Sequence, residues 1–306
     1  MSRNFMKDSD IPYVAVAGNP NSGKSTVFNA LTGLRQKVAN YAGVTVEKKV
    51  GVLHTDQPDP VYLIDLPGTY SLSPRSIDEE IAHDVLLGLL DDTPRPRVVV
   101  AVIDAATLER NLFFTSQLLS LGLPVVVALN MMDLAEAAGY EIDPEALSRV
   151  LGVPVIPLIA SCGYGIEKLK KTILQQLQSP APACEVIGLP EPVAGYIREI
   201  ALFLSTHRLT PEESARGEAL RLISSEKAHT HPRFAAQDKA LPMLIGHARD
   251  ELTKQGHAWW AIEAEMRYQW IESILPLVSV RKTIPPSISD RIDLLFTHRV
   301  YGPVCF

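Results

Sequence analysis

The sequence predicts an α/β fold with a doubly wound, mostly parallel sheet, followed by a small all-α domain. As far as residue 178, apolar runs of strand length alternate with segments of helical apolar spacing, which is typical of such a sheet. The glycine-rich stretch at 18–25 stands between a strand and a helix, where phosphate-binding loops occur. Residues 191–277 contain helical patterns only, which indicates the second domain.

Composition narrows the classes of function. The net charge of −6 argues against a nucleic-acid binder whose affinity rests on neutralising phosphates. Cys162, Cys184 and Cys305 show no paired spacing, which favours reduced thiols in a cytoplasmic compartment. The N-terminus lacks the apolar core of a signal peptide, and no run is long and apolar enough to span a bilayer. The increasingly apolar stretch at 300–306 indicates a fragment of a longer protein.

The first strand, Tyr13–Ala17, leads into the phosphate loop Gly18–Ser25 and a helix to about Leu31. The loop matches G-x-x-x-x-G-K-[ST], in which glycines let backbone N–H groups point at phosphate oxygens and the helix N-terminus adds positive charge. Lys24 is expected to reach the β- and γ-phosphates, and the Ser25 hydroxyl to bind Mg²⁺. The flanking strand and helix favour a nucleotide site over a glycine-rich turn with a surface lysine.

The elements after the first helix complete the sheet. A loop is expected at 34–45, two strands at 46–54 and 60–64, and a turn at 56–59 between them. The capping box Ser76–Glu79 predicts a helix towards Leu90. Further strands are predicted at 97–103, 124–129 and 153–159, and further helices at 108–121, from Asp143, and at 166–177.

Two motifs supply what a nucleotide switch needs opposite the phosphate loop. Asp65-Leu66-Pro67-Gly68 follows a strand, so that Asp65 can hold the Mg²⁺ shell and the Gly68 N–H can meet a γ-phosphate. Thr45 lies in the preceding loop and can close on Mg²⁺ and γ-phosphate when a triphosphate is bound. The alternative for Thr45 is an ordinary loop threonine.

A third motif predicts the base that is bound. Asn130-Met131-Met132-Asp133 follows a buried strand, and Asp133 can accept hydrogen bonds from guanine N1 and N2 in a pattern that adenine does not offer. Asn130 is expected to brace the loops around the base. Ala160-Ser161-Cys162, after the last strand, is the expected place for a backbone N–H that meets guanine O6.

The second domain is preceded by a stiff linker at 179–190 and followed by a proline-containing linker at 278–290. Between them, apolar stripes predict the core of a helical bundle, and the aromatic residues in the stripes are expected to be core rather than a cofactor site. The stripes are Val193, Ile197, Ile200 and Leu204; Leu241, Leu244, Ile245, Ala248 and Leu252; and Trp259, Ile262, Met266 and Trp270.

In order and position, these motifs resemble those of the Ras-like P-loop GTPases. More narrowly, Gly18–Ser25, Gly43–Glu47, Asp65–Leu72 and Asn130–Asp133 are similar to the cytoplasmic part of the FeoB family of bacterial ferrous iron transporters. The resemblance implies a G domain at 1–178 and a helical domain at 191–277. It also implies a juxtamembrane segment at 278–306, where Asp290–Asp293 and His298-Arg299 resemble the approach to a first transmembrane helix.

The resemblance implies a GTPase with GTP and GDP as ligands and Mg²⁺ as a cofactor. Catalytic roles are implied for Lys24, Thr45, Gly68 and Asn21, and Mg²⁺ ligation for Ser25, Thr45 and Asp65. Contacts to GTP are implied for Asn19, Asn21, Ser22, Gly23, Lys24, Ser25, Thr26, Gly43, Thr45, Asp65, Gly68, Asn130, Met131, Asp133, Ser161 and Cys162.

Three positions depart from the general GTPase pattern. Met131 stands where many GTPases carry lysine, and Thr69 where a glutamine usually orients the attacking water. No arginine finger is identifiable. Asn21 occupies the position at which potassium-activated GTPases hold K⁺, which would supply the missing positive charge. The alternative for Asn21 is a loop asparagine that caps its own turn.

The resemblance also implies partners and a location. The chain would act at the cytoplasmic face of the bacterial inner membrane with its own transmembrane domain, with small cytoplasmic Feo proteins and a homo-oligomer as further partners and no nucleic acid. His229 and His231 are interpreted as a solvated loop rather than an iron site. Two alternatives remain: a soluble Era-like GTPase associated with the ribosome or RNA, and a nucleotide-binding regulator with negligible catalysis.

Overall fold

The computed structural model describes residues 12–54, 59–73, 76–181, 186–226, 228, 234 and 239–282. The strands are β1 (Tyr13–Gly18), β2 (Gln36–Asn40), β3 (Glu47–Val52), β4 (Tyr62–Asp65), β5 (Val98–Asp104), β6 (Val125–Asn130), β7 (Tyr140–Ile142), β8 (Val155–Pro157) and β9 (Ser279–Arg281). The helices are α1 (Lys24–Thr32), α2 (Ile77–Leu87), α3 (Leu108–Leu119), α4 (Met132–Ala137), α5 (Pro144–Leu151), α6 (Ile166–Gln178), α7 (Val193–Thr206), α8 (Ala215–Ser224), α9 (Ala240–Lys254) and α10 (Ile262–Val278).

Seven strands form one sheet in the order β2-β3-β4-β1-β5-β6-β8. All neighbours from β4 to β8 are parallel, whereas β2 and β3 are antiparallel additions at one edge. Strands β1, β5 and β6 are almost wholly buried because helices cover both faces, so their sequences are continuous apolar runs. The predicted mostly parallel α/β sheet is confirmed.

Each face of the sheet has its own apolar core. Helices α1 and α6 cover one face, where Phe28 and Ile173 pack against alternate residues of the central strands. Helices α2, α3 and α5 cover the other face with Leu86, Leu112 and Leu147. This arrangement leaves the carboxyl ends of the parallel strands open at one edge, where ligands bind in folds of this kind.

One segment predicted as a loop, 34–45, contains a strand. Strand β2 pairs antiparallel with β3, and Val38 lies opposite Lys49. All five residues of β2 are exposed, so that no alternation of apolar and polar residues marks it in the sequence. Backbone pairing alone defines this strand.

The helices beyond residue 190 form a second core. The predicted stripes of α7 and α9 are buried there against α8, as expected for a bundle. Helix α10 differs from the prediction, because it is shared between the two cores. Ile262 packs in the helical core, whereas Trp270 packs against the sheet domain together with Ile271, Ile274 and Val278.

The start of the linker predicted at 278–290 is structured. Strand β9 pairs antiparallel with β7, and Ser279 lies opposite Ile142. A strand of three residues is too short to show a period in the sequence. Within the described residues, the chain therefore returns to the sheet domain after α10.

Several predicted features lie outside the described residues. These are residues 56–58 of a predicted turn, Cys184, the His229–His231 pair, and the segment 283–306 with Cys305. Among the helices that the structure describes, none is both long enough and apolar enough to cross a membrane.

The docking of α10 predicts a difference between two variants of the same helix. Ile271 is fully buried in the core of the sheet domain, so Ile271→Ala is expected to lower the free energy of unfolding by about 2–4 kcal/mol. Leu277 is 66% exposed, and Leu277→Ala is expected to change it by less than about 0.5 kcal/mol. Urea unfolding of both variants is the measurement, and equal effects would contradict this packing of α10.

Candidate functional site

The phosphate loop turns at the open edge of the sheet, between β1 and α1. Gly23 has φ +82°, a left-handed conformation that favours glycine. A Cβ on Gly23 would lie 2.3 Å from Asn130 Nδ2, and one on Gly18 would lie 2.6 Å from the Val102 carbonyl oxygen. Close neighbours therefore require glycine at both positions, and at Gly23 the left-handed backbone requires it as well.

Lys24 and Asp65 meet at this edge. Because β1 and β4 are adjacent and parallel, with Val16 opposite Asp65, their carboxyl ends coincide. The Lys24 ammonium contacts the Asp65 carboxylate, and both side chains are largely buried. The sequence placed both residues in one site, and the structure brings them into direct contact.

The segment 66–73, here called the switch II segment, lies directly against the phosphate loop. The Leu66 N–H donates to the Val16 carbonyl at 3.0 Å, and the Thr69 N–H donates to the Gly18 carbonyl at 3.4 Å. A Cβ on Gly68 would lie 3.4 Å from Pro20 atoms. The backbone of Gly68 is therefore held beside the loop that it was expected to face.

Three polar atoms of this region are buried without a hydrogen-bond partner in the described part of the chain: Asn19 Oδ1, Ser22 Oγ and Thr69 Oγ1. Buried polar atoms are normally paired, because an unpaired one costs roughly 1–3 kcal/mol. The two hydroxyls can donate to a polar ligand near Lys24, whereas the Asn19 carboxamide oxygen can only accept. Thr69, at the position where many GTPases carry glutamine, is 2% exposed.

Tyr41 anchors the turn that carries Thr45, and sequence reasoning did not assign it a role. Its N–H donates to the Val46 carbonyl at 3.0 Å, its carbonyl accepts from the Val44 N–H at 3.2 Å, and its side chain is buried. Burial, followed by the charges of Asp65 and Asp92, raises the pKa of Tyr41. The only signal in the sequence is that Tyr41 is the single aromatic residue of the loop predicted at 34–45.

The Asn130 carboxamide joins the phosphate loop to the loop after β8. Its Nδ2 donates to the Ser22 carbonyl at 3.1 Å, and its Oδ1 accepts from the Ala160 N–H at 3.0 Å. Met131 follows with φ 60° and Asp133 is exposed in the first turn of α4. The geometry thus has the bracing contacts expected of Asn130, with Asp133 accessible.

The remaining predicted site residues are exposed to solvent. They are Asn21 on the phosphate loop, Ser25 and Thr26 in the first turn of α1, Gly43 and Thr45 before β3, and Ser161 and Cys162 after β8. No hydrogen bond in the described residues joins the Thr45 side chain to Ser25 or Asp65.

The side chains of Ser25, Thr45 and Asp65 all offer oxygen ligands, which Mg²⁺ prefers. The carboxamide oxygen of Asn21 is a hard ligand of the same kind.

Comparison with known proteins identifies relatives of this chain. The model of the family FeoB_N, ferrous iron transport protein B, matches residues 12–173. The Fe(2+) transporter FeoB of Salmonella choleraesuis (strain SC-B67) is 39% identical over 300 residues, covering 94% of this chain and 36% of the transporter. The transporter of Escherichia coli (strain K12) is 38% identical over 296 residues with the same coverage. The chain thus spans about a third of the length of these relatives.

Solved structures of FeoB domains also match this chain. A GDP-bound mutant of the S. thermophilus FeoB G-domain matches with a TM-score of 0.75 and 32% identity, covering 88% of this chain and 100% of that chain. The cytosolic domain of L. pneumophila FeoB matches with a TM-score of 0.74 and 35% identity at the same coverage. The GMPPNP form of the T. maritima cytosolic domain matches with a TM-score of 0.72 and 32% identity, again at that coverage.

The two hydrogen bonds of Asn130 predict that its replacement lowers the stability of the chain and the protection of the Ala160 amide. Asn130→Ala leaves the Ser22 carbonyl and the Ala160 N–H without their buried partner, so the free energy of unfolding is expected to fall by about 2–3 kcal/mol. Amide exchange at Ala160 is expected to accelerate with it. Asn40→Ala, on the exposed strand β2, is the control and is expected to change stability by less than about 0.5 kcal/mol. Equal unfolding midpoints in urea would argue against the bridge.

Proposed function

The chain belongs to the FeoB family, and on that premise we propose that it binds and hydrolyses GTP as the cytoplasmic module of a bacterial ferrous iron transporter. The observation that carries the proposal is the convergence of three motifs at one edge of the sheet. Lys24 contacts Asp65, and Asn130 ties the phosphate loop to the loop expected at the base. The nucleotides named for the related structures, GDP and GMPPNP, support the same ligand class here.

Phosphate binding rests on the loop amides and Lys24. A bound nucleotide would exchange the contact between Lys24 and Asp65 for one between the ammonium and the phosphates, which frees the Asp65 carboxylate. Ser25, Thr45 and Asp65 would then hold Mg²⁺, and their oxygen donors fit it. When bound, Mg²⁺ would neutralise charge on the phosphate oxygens.

Selection of guanine rests on Asp133 and the loop at 160–162. The exposed carboxylate of Asp133 would accept from guanine N1 and N2, and a loop amide near Ser161 would meet O6. Since the Ala160 N–H already donates to Asn130, the O6 donor lies further along the loop. Met131 offers an apolar contact to the base where lysine is common.

Hydrolysis requires a group that positions water and positive charge near the γ-phosphate. Thr69 is buried and its N–H donates to the Gly18 carbonyl, so the Gly68 backbone, which lies against Pro20, is the group of the switch II segment proposed to face the γ-phosphate. Asn21 is exposed with φ 66° on the phosphate loop, which suits a carboxamide that faces a ligand. We propose that it holds K⁺, which would supply the charge that an arginine finger brings elsewhere.

Coupling to the rest of the transporter is proposed to run from the switch II segment into α10. Gln117, on α3, accepts from the Leu72 N–H at 2.8 Å and donates to Glu263 Oε1 at 2.9 Å. The Ser73 hydroxyl donates to Glu263 Oε2 at 3.2 Å. The segment that would sense the γ-phosphate is therefore bonded both directly and through Gln117 to the first turn of α10.

The wider context is also a proposal. The transported ion would be ferrous iron, carried by a membrane domain of the same protein at the bacterial inner membrane, with this chain on the cytoplasmic face. Small cytoplasmic Feo proteins and a second copy are further proposed partners. Family membership favours this function over the RNA-associated GTPase. A nucleotide-binding regulator with negligible catalysis stays an alternative because no glutamine follows Gly68.

The test of the enzymatic proposal is GTP turnover with Mg²⁺ in KCl and in NaCl of equal ionic strength. We expect turnover about tenfold faster in KCl, because K⁺ at Asn21 adds transition-state charge. Asn21→Ala should remove the difference while GDP still binds, and Asn40→Ala should keep it. Lys24→Ala should abolish turnover in both salts.

The other outcomes separate the alternatives. Equal rates in both salts would remove the K⁺ assignment and leave the GTPase. Tight GTP binding without turnover in either salt would favour the regulator. Absence of GTP binding by a folded chain would overturn the proposal.

The coupling proposal predicts a change of nucleotide preference from a single hydroxyl. Ser73→Ala removes the direct bond between the switch II segment and Glu263 and leaves the pair of Glu263 with Arg267 intact. We expect affinity for GMPPNP relative to GDP to rise about fivefold, since a bond of about 1 kcal/mol that holds the present conformation is lost. Ser273→Ala, on the exposed face of α10, is the control. An unchanged ratio of dissociation constants would count against this route.

A further inference from the structure

A buried histidine joins α2 of the sheet domain to α8 of the helical domain. His83 is 1% exposed, and both of its ring nitrogens face carboxylates. Nδ1 lies 3.1 Å from Asp84 Oδ1, and Nε2 lies 3.0 Å from Glu218 Oε2. Asp84 and Glu218 are themselves buried, with 7% and 1% of their surface exposed.

This geometry fits the protonated ring. A neutral imidazole has one N–H and one lone pair, so it can donate to only one of the two carboxylates. Its other nitrogen would then direct a lone pair at a carboxylate oxygen, an unfavourable contact that burial strengthens. The imidazolium carries two N–H groups and can donate to both. The two contacts together therefore require a proton.

The charges around the ring favour that proton. Within the described residues, the charged groups of α8 and α10 beside the ring are Glu218, Arg221, Glu263 and Arg267. On α2, Asp84 follows the ring directly, and Glu79 and Glu80 precede it by about one helical turn. The side chains that α3 contributes, Ser116, Gln117 and Ser120, are neutral. The two carboxylates in contact with the ring, Asp84 and Glu218, favour its protonated form.

The pKa of Arg221 is affected by the same carboxylates. Its Nε donates to Glu218 Oε2 at 2.9 Å, beside the His83 contact. Burial acts to lower the pKa of Arg221, but the charges of Glu218, Glu263 and Asp84 raise it above its ordinary value. The carboxylates of the cluster therefore favour positive charge at Arg221, which shares Glu218 with His83.

We propose that His83 is a proton-binding site that fastens the helical domain to the sheet domain, so that the junction is tight when the ring is protonated and loosens when the proton leaves. Loss of the proton leaves one N–H for two carboxylates, so the contact across the junction to Glu218 weakens as the neutral ring divides its single N–H between Glu218 and Asp84. Helix α2 starts a few residues after the switch II segment, so the proton is placed to bias that segment. This last link rests on the proposed function, whereas the proton site itself does not.

The direct test is the state of the ring. In ¹⁵N spectra of the histidine-labelled chain at about pH 6, both nitrogens of His83 are expected to carry protons, and one is expected to lose its proton as the pH rises towards about 8.5. Asp84→Asn removes the partner of Nδ1 and keeps the pair of Glu218 with Arg221, so the doubly protonated form should disappear at a lower pH. A ring with a single N–H throughout would overturn the proposal.

A second test measures what the proton does to the fold. Since the stabilisation exists while the proton is bound and is lost as the pH rises, His83→Gln should lower the melting temperature about 2–4 °C more at about pH 6 than at about pH 8.5. His207→Gln, at the exposed end of α7, is the control and should show no such difference. Equal losses at both pH values for His83→Gln would also overturn the proposal. Neither readout uses a nucleotide, so failure of the GTPase proposal would be seen separately.

Discussion

The candidate site depends on one buried carboxamide. Asn130 uses both ends of its side chain, donating to Ser22 of the phosphate loop and accepting from Ala160 of the loop after β8. It can do so because β6 ends at the same edge as β1, and because Gly23 has no Cβ to displace it. A buried bridge of this kind is costly to break, since both partners would be left unpaired. The loops expected at the phosphates and at the base are thereby held at one fixed separation.

The sequence predicted those parts of the fold that are enforced by burial on both faces of a sheet. Strands β1, β5 and β6 leave continuous apolar runs, and the motifs at their ends follow from the parallel order. Strands β2, β7 and β9 were missed because exposed or very short strands depend on backbone pairing, which leaves no pattern of side chains. Tyr41 was missed for a related reason. Its place beside the site comes from a tertiary turn rather than from a motif.

Helix α10 shows why the domain boundary could not be drawn from periodicity. Its first turn belongs to the helical core through Ile262, and its last turns belong to the sheet domain through Ile271 and Ile274. One apolar stripe thus contributes to two cores, and the sequence of a stripe does not show which surface it packs against. Between the two halves lies Arg267, fully buried and paired with Glu263 at 3.0 Å. Burial lowers the pKa of Arg267, and Glu263 opposes that effect.

The position of the polar pair Glu263 and Arg267 on α10 bears on how a change in the switch II segment would reach the helical domain. Buried ion pairs add little net stability compared with apolar packing, but their partners must be satisfied in any arrangement. If a signal passes along this route, the end packed through Ile271 and Ile274 would stay attached to the sheet domain, and Glu263 would be the group that exchanges polar partners. The direct and Gln117-mediated bonds that join it to the switch II segment contribute about 1 kcal/mol each. Their sum is similar to typical coupling free energies between sites, about 1–3 kcal/mol. A γ-phosphate contact at Gly68 would need to contribute a free energy of that size to compete with them, and the packing of Ile271 and Ile274 would not have to change.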